Sequence, residues 1–538
     1  MGRILICFFD SAHVLSSARQ SQACTIVQTE AESRQSRRYI EGLNIKTGEG
    51  VVSFAPMLES DVEHWTHTKD VLIVGFGGAG ACAAIEAADN GASVAVFEAA
   101  SESGGSTKLS SAELYLGGGT QVQKAVGYDD SVEDVFGYLM DSNGPQADEA
   151  KTRAYAEGGA THLDWLMALG VPFKMSEYPE RAMMALTDDC LLYTGSEKAW
   201  PYVDRYTPAP RGHNLYVEGD NGGPLFIQIL TDAVNARDID VHLEARALRL
   251  IVDRHGPGQR IVGLVVREDM EERFYCAKKG VILCAGGFVM NAEMMQRYAP
   301  ELAKSGTVPI GNPNDTGGGI QMGLSVGGLA INMHEGFLSV PFYPPATLTH
   351  GNFVNGQGQR FINEDAYHGR IGCYLVKQTF PVYLVLNVDD YADYETASWL
   401  AAPVRGTGET LEELAAELDL PNGALADTVS QYNFAAERGI DEAFHKSKTW
   451  LKPLTGPFVA LDCTPGAGAF LPHFTLGGLD TTVDGAVLNA EGERIGGLYA
   501  AGRTACGVPR RGDGYASGSS VGDATFSGRR AGRHAATD

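Results

Sequence analysis

A glycine-rich turn between an apolar strand and an alanine-rich helix is the strongest constraint on the fold of this chain. Residues 69–74 read Lys-Asp-Val-Leu-Ile-Val, which is typical of a strand buried on both faces of a parallel sheet. Gly-Phe-Gly-Gly-Ala-Gly follows at 75–80, and residues 81–90 favour a helix that ends at Gly91. A second apolar strand is predicted at 93–97, with Glu98 directly after it. The order strand, G-x-G-x-x-G, helix, strand, acid predicts a Rossmann-like dinucleotide-binding unit.

Each position of this turn has a mechanical reason. Gly75 permits the tight turn, Gly77 lets the backbone approach a pyrophosphate, and Gly80 lets helix and strand pack closely. The N-terminus of the helix offers free amides and a positive dipole end to the phosphates, and the Glu98 carboxylate can accept both ribose hydroxyls. The cofactor residues predicted in this unit are Gly75, Gly77, Gly78, Ala79, Gly80, Glu98 and Ala99.

The turn after the second strand favours a flavin over a nicotinamide cofactor. Its Gly-Gly-Ser-Thr sequence can wrap a second phosphate–ribityl segment, which an NAD-binding unit does not need. The chain has no second fingerprint of the same kind, and one tightly held flavin can serve a whole oxidoreductase. We therefore predict FAD, held in part by Gly104, Gly105, Ser106 and Thr107.

Composition excludes several other classes of function. The 538 residues carry a formal net charge of −25, which disfavours nucleic acid as a partner. No run of about 18 apolar residues occurs, so no transmembrane segment is predicted. The 9 cysteines are widely spaced without a C-x-x-C pair, which predicts reduced cysteines, no metal site and a cytoplasmic location.

The N-terminal segment lacks a clear periodic pattern. The apolar residues 4–9 are too few for a secretory signal, and residues 11–50 are rich in Ser, Gln, Arg and Glu. We predict a disordered extension over residues 1–68. Because organised pattern begins just after Met57, a second hypothesis places the start of translation at that residue.

Four further segments resemble a known family. Residues 281–288, 315–320, 353–365 and 497–503 are similar to the strand, glycine and "Arg-Phe … Asn-Glu" motifs of flavoproteins related to the fumarate reductase and succinate dehydrogenase flavoprotein subunit. The resemblance implies an α/β fold with an α+β cap. The Rossmann-like FAD-binding domain would span 69–318 and 453–538, and an inserted substrate-capping domain would span 319–452.

The resemblance also extends the predicted flavin site. A small-residue-rich helix predicted from Ser519 to Arg533 can direct its N-terminus at the flavin pyrimidine edge. No histidine lies in the region 104–111, where succinate dehydrogenase-type relatives attach FAD, so non-covalent FAD is implied. The further cofactor residues are Gly286, Gly287, Gly502, Arg503, Ser519 and Ser520.

Two segments distinguish the substrate. Fumarate reductases carry an Asn-Arg-Leu-Gly turn and a His-His-Thr block, but here residues 512–518 read Gly-Asp-Gly-Tyr-Ala-Ser-Gly and Phe474 replaces one histidine. Without that arginine a dicarboxylate loses its clamp. Residues 365–372 and 512–518 instead resemble 3-ketosteroid Δ4-(5α)-dehydrogenases, and the resemblance implies Tyr367, Tyr515 and Ser517 as active-site residues.

The chemistry of such a dehydrogenase suggests a role for each residue. The hydrogen at C4 is weakly acidic, so its removal needs a donor to the C3 oxygen and a base at C4. We assign Tyr515 as the donor and Ser517 as the proton acceptor, with hydride transfer from C5 to flavin N5. Serine alone is too weak a base, so Tyr367 is expected to complete a relay, or a neighbouring tyrosinate to act. His368 is interpreted as an exposed histidine, with a proton exit path as the alternative.

Other functions remain open at this level. The enzyme could act on another bulky ketone, as a 3-ketosteroid Δ1-dehydrogenase or an ene-reductase does, or it could be a flavin-binding scaffold without catalysis. Fumarate reduction is a further alternative, which the missing arginine disfavours. The chain has no C-x-x-C-H haem motif and no cysteine cluster for iron–sulfur binding, so an external electron acceptor is expected.

Overall fold

The computed structural model describes residues 44–47, 50–219, 221–256, 258–304 and 306–538. The chain divides into two compact units, Met1–Ala55 and Pro56–Asp538. Within the first unit, the strands Asn44–Thr47 and Gly50–Ser53 pair in antiparallel orientation. The other described strands and helices belong to the second unit.

A mixed sheet is the centre of the second unit. The strands Arg494–Ala500, Glu271–Leu283, His67–Val74, Val94–Phe97 and Ile239–His242 lie side by side in this order, and every neighbouring pair is parallel. The side chains of Val71, Leu72 and Ile73 are fully buried, as expected for a parallel sheet covered on both faces. The same sheet continues through Gly258–Glu268, Arg246–Gly256 and Met57–Leu58, and Ala486–Leu488 pairs with Arg494–Ala500.

Four smaller sheets surround this one among the described residues of the second unit. A four-stranded antiparallel sheet contains Asn352–Val354, Tyr383–Asn387, Phe458–Asp462 and Val404–Gly408. The others are Leu114–Tyr115 with Gly212–His213 and Leu191–Leu192; Val308–Pro309 with Pro472–Thr475 and Gly336–Leu338; and Ala330–Ile331 with Gly478–Leu479.

The α-helices cover the sheets and fill the connections between strands. Their bounds are Gly78–Asp89, Gly105–Lys108, Gln121–Ala125, Val132–Asn143, Glu149–Ala168, Gly222–Asn235, Ala292–Tyr298, Gly318–Ser325, His368–Leu375, Val388–Tyr391, Tyr394–Ala397, Leu411–Glu417, Ala424–Arg438 and Ser519–Thr537. Among the described residues, none of these helices combines the length and the apolar character needed to cross a bilayer.

The first and last of these helices pack closely because small residues line their contact. A Cβ atom on Gly528 would lie 2.2 Å from the carbonyl oxygen of Ala79, and one on Gly532 would lie 2.2 Å from that of Ala83. Only glycine permits this approach of the two backbones. The two helices therefore run parallel to each other, with Ala79 level with Gly528 and Ala83 level with Gly532.

The predicted α/β fold class, with its parallel-strand sheet, is confirmed. The structure differs from the predicted extension over residues 1–68, because Met57–Leu58 already pairs with Ile251 and Val252 in the central sheet. A two-residue strand has too little periodicity to be recognised from sequence. Residues 1–43, 48 and 49 lie outside the described residues, and the Met57 start and the domain boundaries stay predictions.

Candidate active site

A cavity of about 350 Å³ opens at the carboxyl ends of the parallel strands. Its wall contains Val74, Phe97, Cys284 and Ala501, which lie at or directly after the last residues of four adjacent strands. Ligands of open parallel sheets bind at this edge, because the loops that follow the strands converge there. The fold therefore places the glycine-rich turn and the other predicted motifs around one space.

Glu98 is fixed at the end of the second strand. One carboxylate oxygen accepts the amide of Phe76 at 2.8 Å, and the other accepts the amide of Ala100 at 2.9 Å. The side chain is buried and lines the cavity. Each oxygen keeps a lone pair for a further donor, such as a ribose hydroxyl.

Gly75 and Gly80 show why the turn requires glycine. Gly75 has a φ of +99°, and a Cβ on Gly80 would lie 1.9 Å from the carbonyl oxygen of Gly75. A larger residue at Gly80 would force the helix away from the strand. The two glycines keep the N-terminus of Gly78–Asp89 at the cavity edge.

Two helix N-termini face the cavity with free capacity for an anionic ligand. Gly77 precedes the helix Gly78–Asp89 and Gly518 precedes Ser519–Thr537, and neither of these N-cap glycines forms a side-chain hydrogen bond. The buried Ser520 Oγ lines the cavity and has no hydrogen-bond partner within the described part of the chain. These groups fit FAD, whose phosphates and electron-rich flavin ring need amide and hydroxyl donors.

An ion pair joins three cavity-lining segments. The Asp315 carboxylate accepts the Ser106 hydroxyl at 2.6 Å and the Arg503 guanidinium through the same oxygen. The amide of Asn312 donates to Ser106 Oγ at 2.8 Å. The Gly-Gly-Ser-Thr turn is thereby tied to the loop after Arg494–Ala500, and the charge of Arg503 is compensated inside the wall.

Three hydroxyl-bearing residues, Tyr367, Ser517 and Tyr515, lie in the cavity wall or directly behind it. The Tyr367 hydroxyl and Ser517 Oγ are 2.5 Å apart and share a hydrogen bond. Ser517 and Tyr515 line the cavity, and the Tyr515 hydroxyl accepts the amide of Ser520 at 3.2 Å. Tyr367 lies behind Ser517, directly before the helix His368–Leu375.

Aromatic and apolar groups surround these hydroxyls. Phe337 packs against Tyr515 with ring centroids 4.9 Å apart, and Phe474 lies 4.9 Å from Phe337. Burial raises the pKa of Tyr515 to about 12 and holds the pKa of Tyr367 well above its usual value. Both side chains are therefore neutral phenols at pH 7, which favours a hydroxyl relay over the alternative of a tyrosinate base.

The structure places most of the predicted site residues in the cavity wall. Those that line it are Gly75, Gly77, Gly78, Ala79, Glu98, Ala99, Gly105, Ser106, Thr107, Gly286, Gly502, Arg503, Tyr515, Ser517 and Ser520. Those that do not are Gly80, Gly104, Gly287, Ser519 and Tyr367, which pack directly behind the wall or bond to it. The binding and catalytic roles of both groups stay predictions.

The interpretation of His368 as an exposed residue is wrong. Its side chain is buried, and Nδ1 lies 2.6 Å from Ser339 Oγ. Burial lowers its pKa to about 3, so the ring is neutral at pH 7. His368 is buried because it packs against a segment that is distant in sequence. No local sequence pattern indicates this contact.

Sequence reasoning missed two acidic residues of the cavity. Glu113 is buried in the wall directly before the strand Leu114–Tyr115, and Asp315 forms the ion pair described above. Asp315 begins the recognised glycine loop at 315–320, and an acid at the start of such a loop was an available signal. No comparable signal marks Glu113.

Comparison with known proteins defines the class of this protein. Residues 70–518 match the model of the FAD binding domain family. Since this span covers most of the chain and the cavity offers the dinucleotide cradle, the class is that of FAD-dependent flavoprotein oxidoreductases. The chain belongs to the FAD binding domain family, and the sequence predictions of FAD and of an enzyme are confirmed.

Similar proteins include steroid dehydrogenases and fumarate reductases. The solved structure of 3-ketosteroid-Δ4-(5α)-dehydrogenase from Rhodococcus jostii RHA1, in complex with 4-androstene-3,17-dione, is 38% identical with a TM-score of 0.84, over 90% of this chain and 100% of that chain. The 3-oxo-5-alpha-steroid 4-dehydrogenase of Comamonas testosteroni is 27% identical over 82% of this chain and 94% of its own length. A fumarate reductase (cytochrome) of Shewanella frigidimarina is 28% identical over 87% and 77%, respectively. The family resemblance inferred from the sequence motifs is confirmed.

Proposed function

We propose that this protein is an FAD-dependent dehydrogenase that introduces the C4–C5 double bond into 3-keto-5α-steroids. The observation that carries the proposal is the 2.5 Å contact between the Tyr367 hydroxyl and Ser517 Oγ, next to Tyr515 in an aromatic cavity. The similarity to two dehydrogenases with this specificity in their names supports it.

Ser517 and Tyr367 remove the proton from C4. Ser517 lines the cavity, so its Oγ can accept the proton while its own proton moves along the hydrogen bond to Tyr367. Tyr367 in turn passes its own phenolic proton to water outside the cavity, which is the proton that the overall reaction releases, so that Ser517 and Tyr367 both end the step as neutral hydroxyls. A positioned proton-transfer group typically contributes about 10²–10⁴ in rate, and the relay avoids a free serine alkoxide.

Tyr515 stabilises the oxyanion that develops at C3. Its oxygen accepts the amide at the N-terminus of Ser519–Thr537, which polarises the O–H bond and makes it a stronger donor. Because burial keeps the pKa of Tyr515 at about 12, the donor is protonated throughout the neutral range. The chemistry that FAD supplies when bound is acceptance of the C5 hydrogen as a hydride.

The charges of the site favour a neutral, apolar substrate over a dicarboxylate. Among the cations that line the cavity, Arg503 is the one closest in sequence to Tyr515 and Ser517. Its charge is already compensated by the Asp315 carboxylate. Phe474 lies where a fumarate reductase motif has histidine, and it packs against Phe337. The second carboxylate of a dicarboxylate substrate would be buried here without a bidentate partner. Burial of an unpaired charge costs on the order of several kcal/mol.

Anaerobic mixing of the FAD-loaded protein with a saturated 5α-3-ketosteroid tests the proposal. We expect rapid bleaching of the flavin absorbance and formation of the 4-ene-3-ketone. Formation of the 1-ene product instead would identify a Δ1-dehydrogenase. Bleaching only with another bulky ketone, or reoxidation of reduced enzyme by fumarate, would reject the steroid assignment.

A physiological electron acceptor has to reoxidise the flavin after each turnover. A panel of quinones, dyes and oxygen, added to steroid-reduced enzyme, would identify its chemical class. We also propose that the FAD is non-covalent, because no histidine lies in the region 104–111. Release of free FAD on acid denaturation is the expected result, and flavin that stays with the precipitated protein would contradict it.

A further inference from the structure

The segment 194–197 contacts both members of the hydroxyl pair. The amide of Ser517 donates to the carbonyl oxygen of Thr194 at 2.8 Å, and Thr194 Oγ1 donates to the carbonyl oxygen of Ser517 at 3.0 Å. Two residues further on, Ser196 Oγ accepts the amide of Tyr367 at 3.2 Å. One short stretch of chain therefore holds the backbones of two residues that are 150 positions apart in sequence.

Buried hydrogen bonds of Glu197 and Tyr138 hold this segment in place. The Glu197 carboxylate accepts the Tyr115 hydroxyl at 2.7 Å through one oxygen and the amide of Gly195 at 3.0 Å through the other. The amide of Ser196 donates to the Tyr138 hydroxyl at 2.9 Å. The side chains of Glu197, Tyr115 and Tyr138 are buried, so their hydrogen bonds do not compete with water.

Packing leaves this segment little freedom to move. A Cβ on Gly195 would lie 2.5 Å from the Tyr138 hydroxyl and 3.0 Å from Cβ of Ala516, the residue before Ser517. A displacement of the segment is therefore transmitted to Ser517 and Tyr367. Since proton transfer requires donor and acceptor within hydrogen-bond reach, their 2.5 Å separation depends on where this segment holds them.

We propose that Thr194 and Ser196 are positioning residues for proton removal at C4, and that Glu197 sets their place. The inference rests on the proposed function and assigns the alignment of the relay to a segment outside the flavin-binding motifs. The proposal gives these residues a role in aligning Ser517 and Tyr367 and no role in binding flavin or steroid. Loss of either side-chain contact should slow proton removal and leave flavin binding and steroid binding unchanged.

The test uses the FAD-loaded protein and three variants, Thr194→Val, Ser196→Ala and Glu197→Gln. Thr428→Val is the matched control, because Thr428 Oγ1 also donates to a backbone carbonyl, that of Gly358, and does not line the cavity. Flavin reduction is followed in single turnovers with an unlabelled 5α-3-ketosteroid and with the same steroid deuterated at C4 or at C5.

We expect the single-turnover rate to fall about 10-fold to 100-fold in all three variants, since a misplaced reacting group costs that order of rate. The isotope effect from C4 should increase and that from C5 should decrease, because proton removal becomes the slower step. Steroid affinity and flavin content should equal those of wild type. Ser196→Thr, which keeps the hydroxyl, should restore the rate and both isotope effects.

A purely structural role gives a different result. If the variants lose flavin or folded protein in proportion to activity, with unchanged isotope effects at C4 and C5, the positioning role is refuted. Variants that match Thr428→Val in every readout refute it as well. If the wild-type protein fails to convert the steroid, the proposed function fails first, and this inference is overturned with it.

Discussion

Replacing Tyr515 by Phe tests the assignment of the oxyanion donor with a single oxygen atom. The ring keeps its contacts with Phe337 and Phe474, so the apolar cluster should persist. The change removes the acceptor of the Ser520 amide, a loss of about 1 kcal/mol in the free energy of unfolding. In the transition state it removes one oxyanion donor, which is worth about 2.7–4 kcal/mol, or about 10²–10³ in rate.

The assay is the anaerobic single turnover with a 5α-3-ketosteroid, with steroid affinity and thermal unfolding measured on the same preparation. We expect the rate to fall about 10²–10³-fold, with wild-type flavin content and a melting temperature within about 3 °C of wild type. Tyr394→Phe is the matched control, because the buried Tyr394 hydroxyl donates to the carbonyl oxygen of Ala402 and does not line the cavity. A Tyr515→Phe rate above half of the wild-type rate would refute the assignment.

Three further predictions concern the groups that hold the site in place. Gly80→Ala should lower the free energy of unfolding by about 3 kcal/mol or more and reduce flavin content, because its Cβ would lie 1.9 Å from the Gly75 carbonyl oxygen. Asp130→Asn should lower the free energy of unfolding by about 3–5 kcal/mol, measured by chemical denaturation. The reason is that Asp130 pairs at 2.8 Å with Arg211, which is fully buried. His162 is buried and burial lowers its pKa to about 3, so the unfolded chain binds one more proton between pH 3 and about 6.5. Stability therefore falls as pH falls through this window, and His162→Gln should reduce that slope by about 1.4 kcal/mol per pH unit.

The controls for these variants follow from the same geometry. Gly496→Ala serves for the turn, because the atoms nearest to its added Cβ lie at an ordinary 3.6 Å or more. Equal flavin content and stability in Gly80→Ala and Gly496→Ala would reject the packing argument. An Asp130→Asn protein as stable as wild type would show that the buried arginine does not need its partner. Identical pH slopes for wild type and His162→Gln would reject the linkage argument.

The local motifs allowed much of the cofactor site to be predicted. The fingerprint around Gly75 works from sequence because strand, turn and helix are consecutive, and each has its own periodicity or glycine requirement. The same holds for the helix predicted from Ser519, which the structure extends to Thr537. Its start is marked by Gly518, and its small residues recur at helical spacing.

Interactions across long sequence separations could not be predicted in this way. Asp315 reaches Ser106 and Arg503 from separate segments, and no pattern around any one of the three indicates that they share an ion pair and hydrogen bond. His368 shows the same limit. Its neighbour Tyr367 was expected at the active site, but the burial of His368 depends on the distant strand that precedes Ser339.

The sequence by itself determined the cofactor class and the parallel-sheet fold, because a strand–turn–helix unit carries its requirements within about 30 consecutive residues. It also presented the three hydroxyl residues through a family resemblance. Only the tertiary structure decided that Tyr367 and Ser517 lie 2.5 Å apart, and that residues 194–197 contact both. The physical reason is that a hydrogen bond depends on separations of tenths of an ångström, and packing of the whole chain, not local sequence, sets that distance between remote segments.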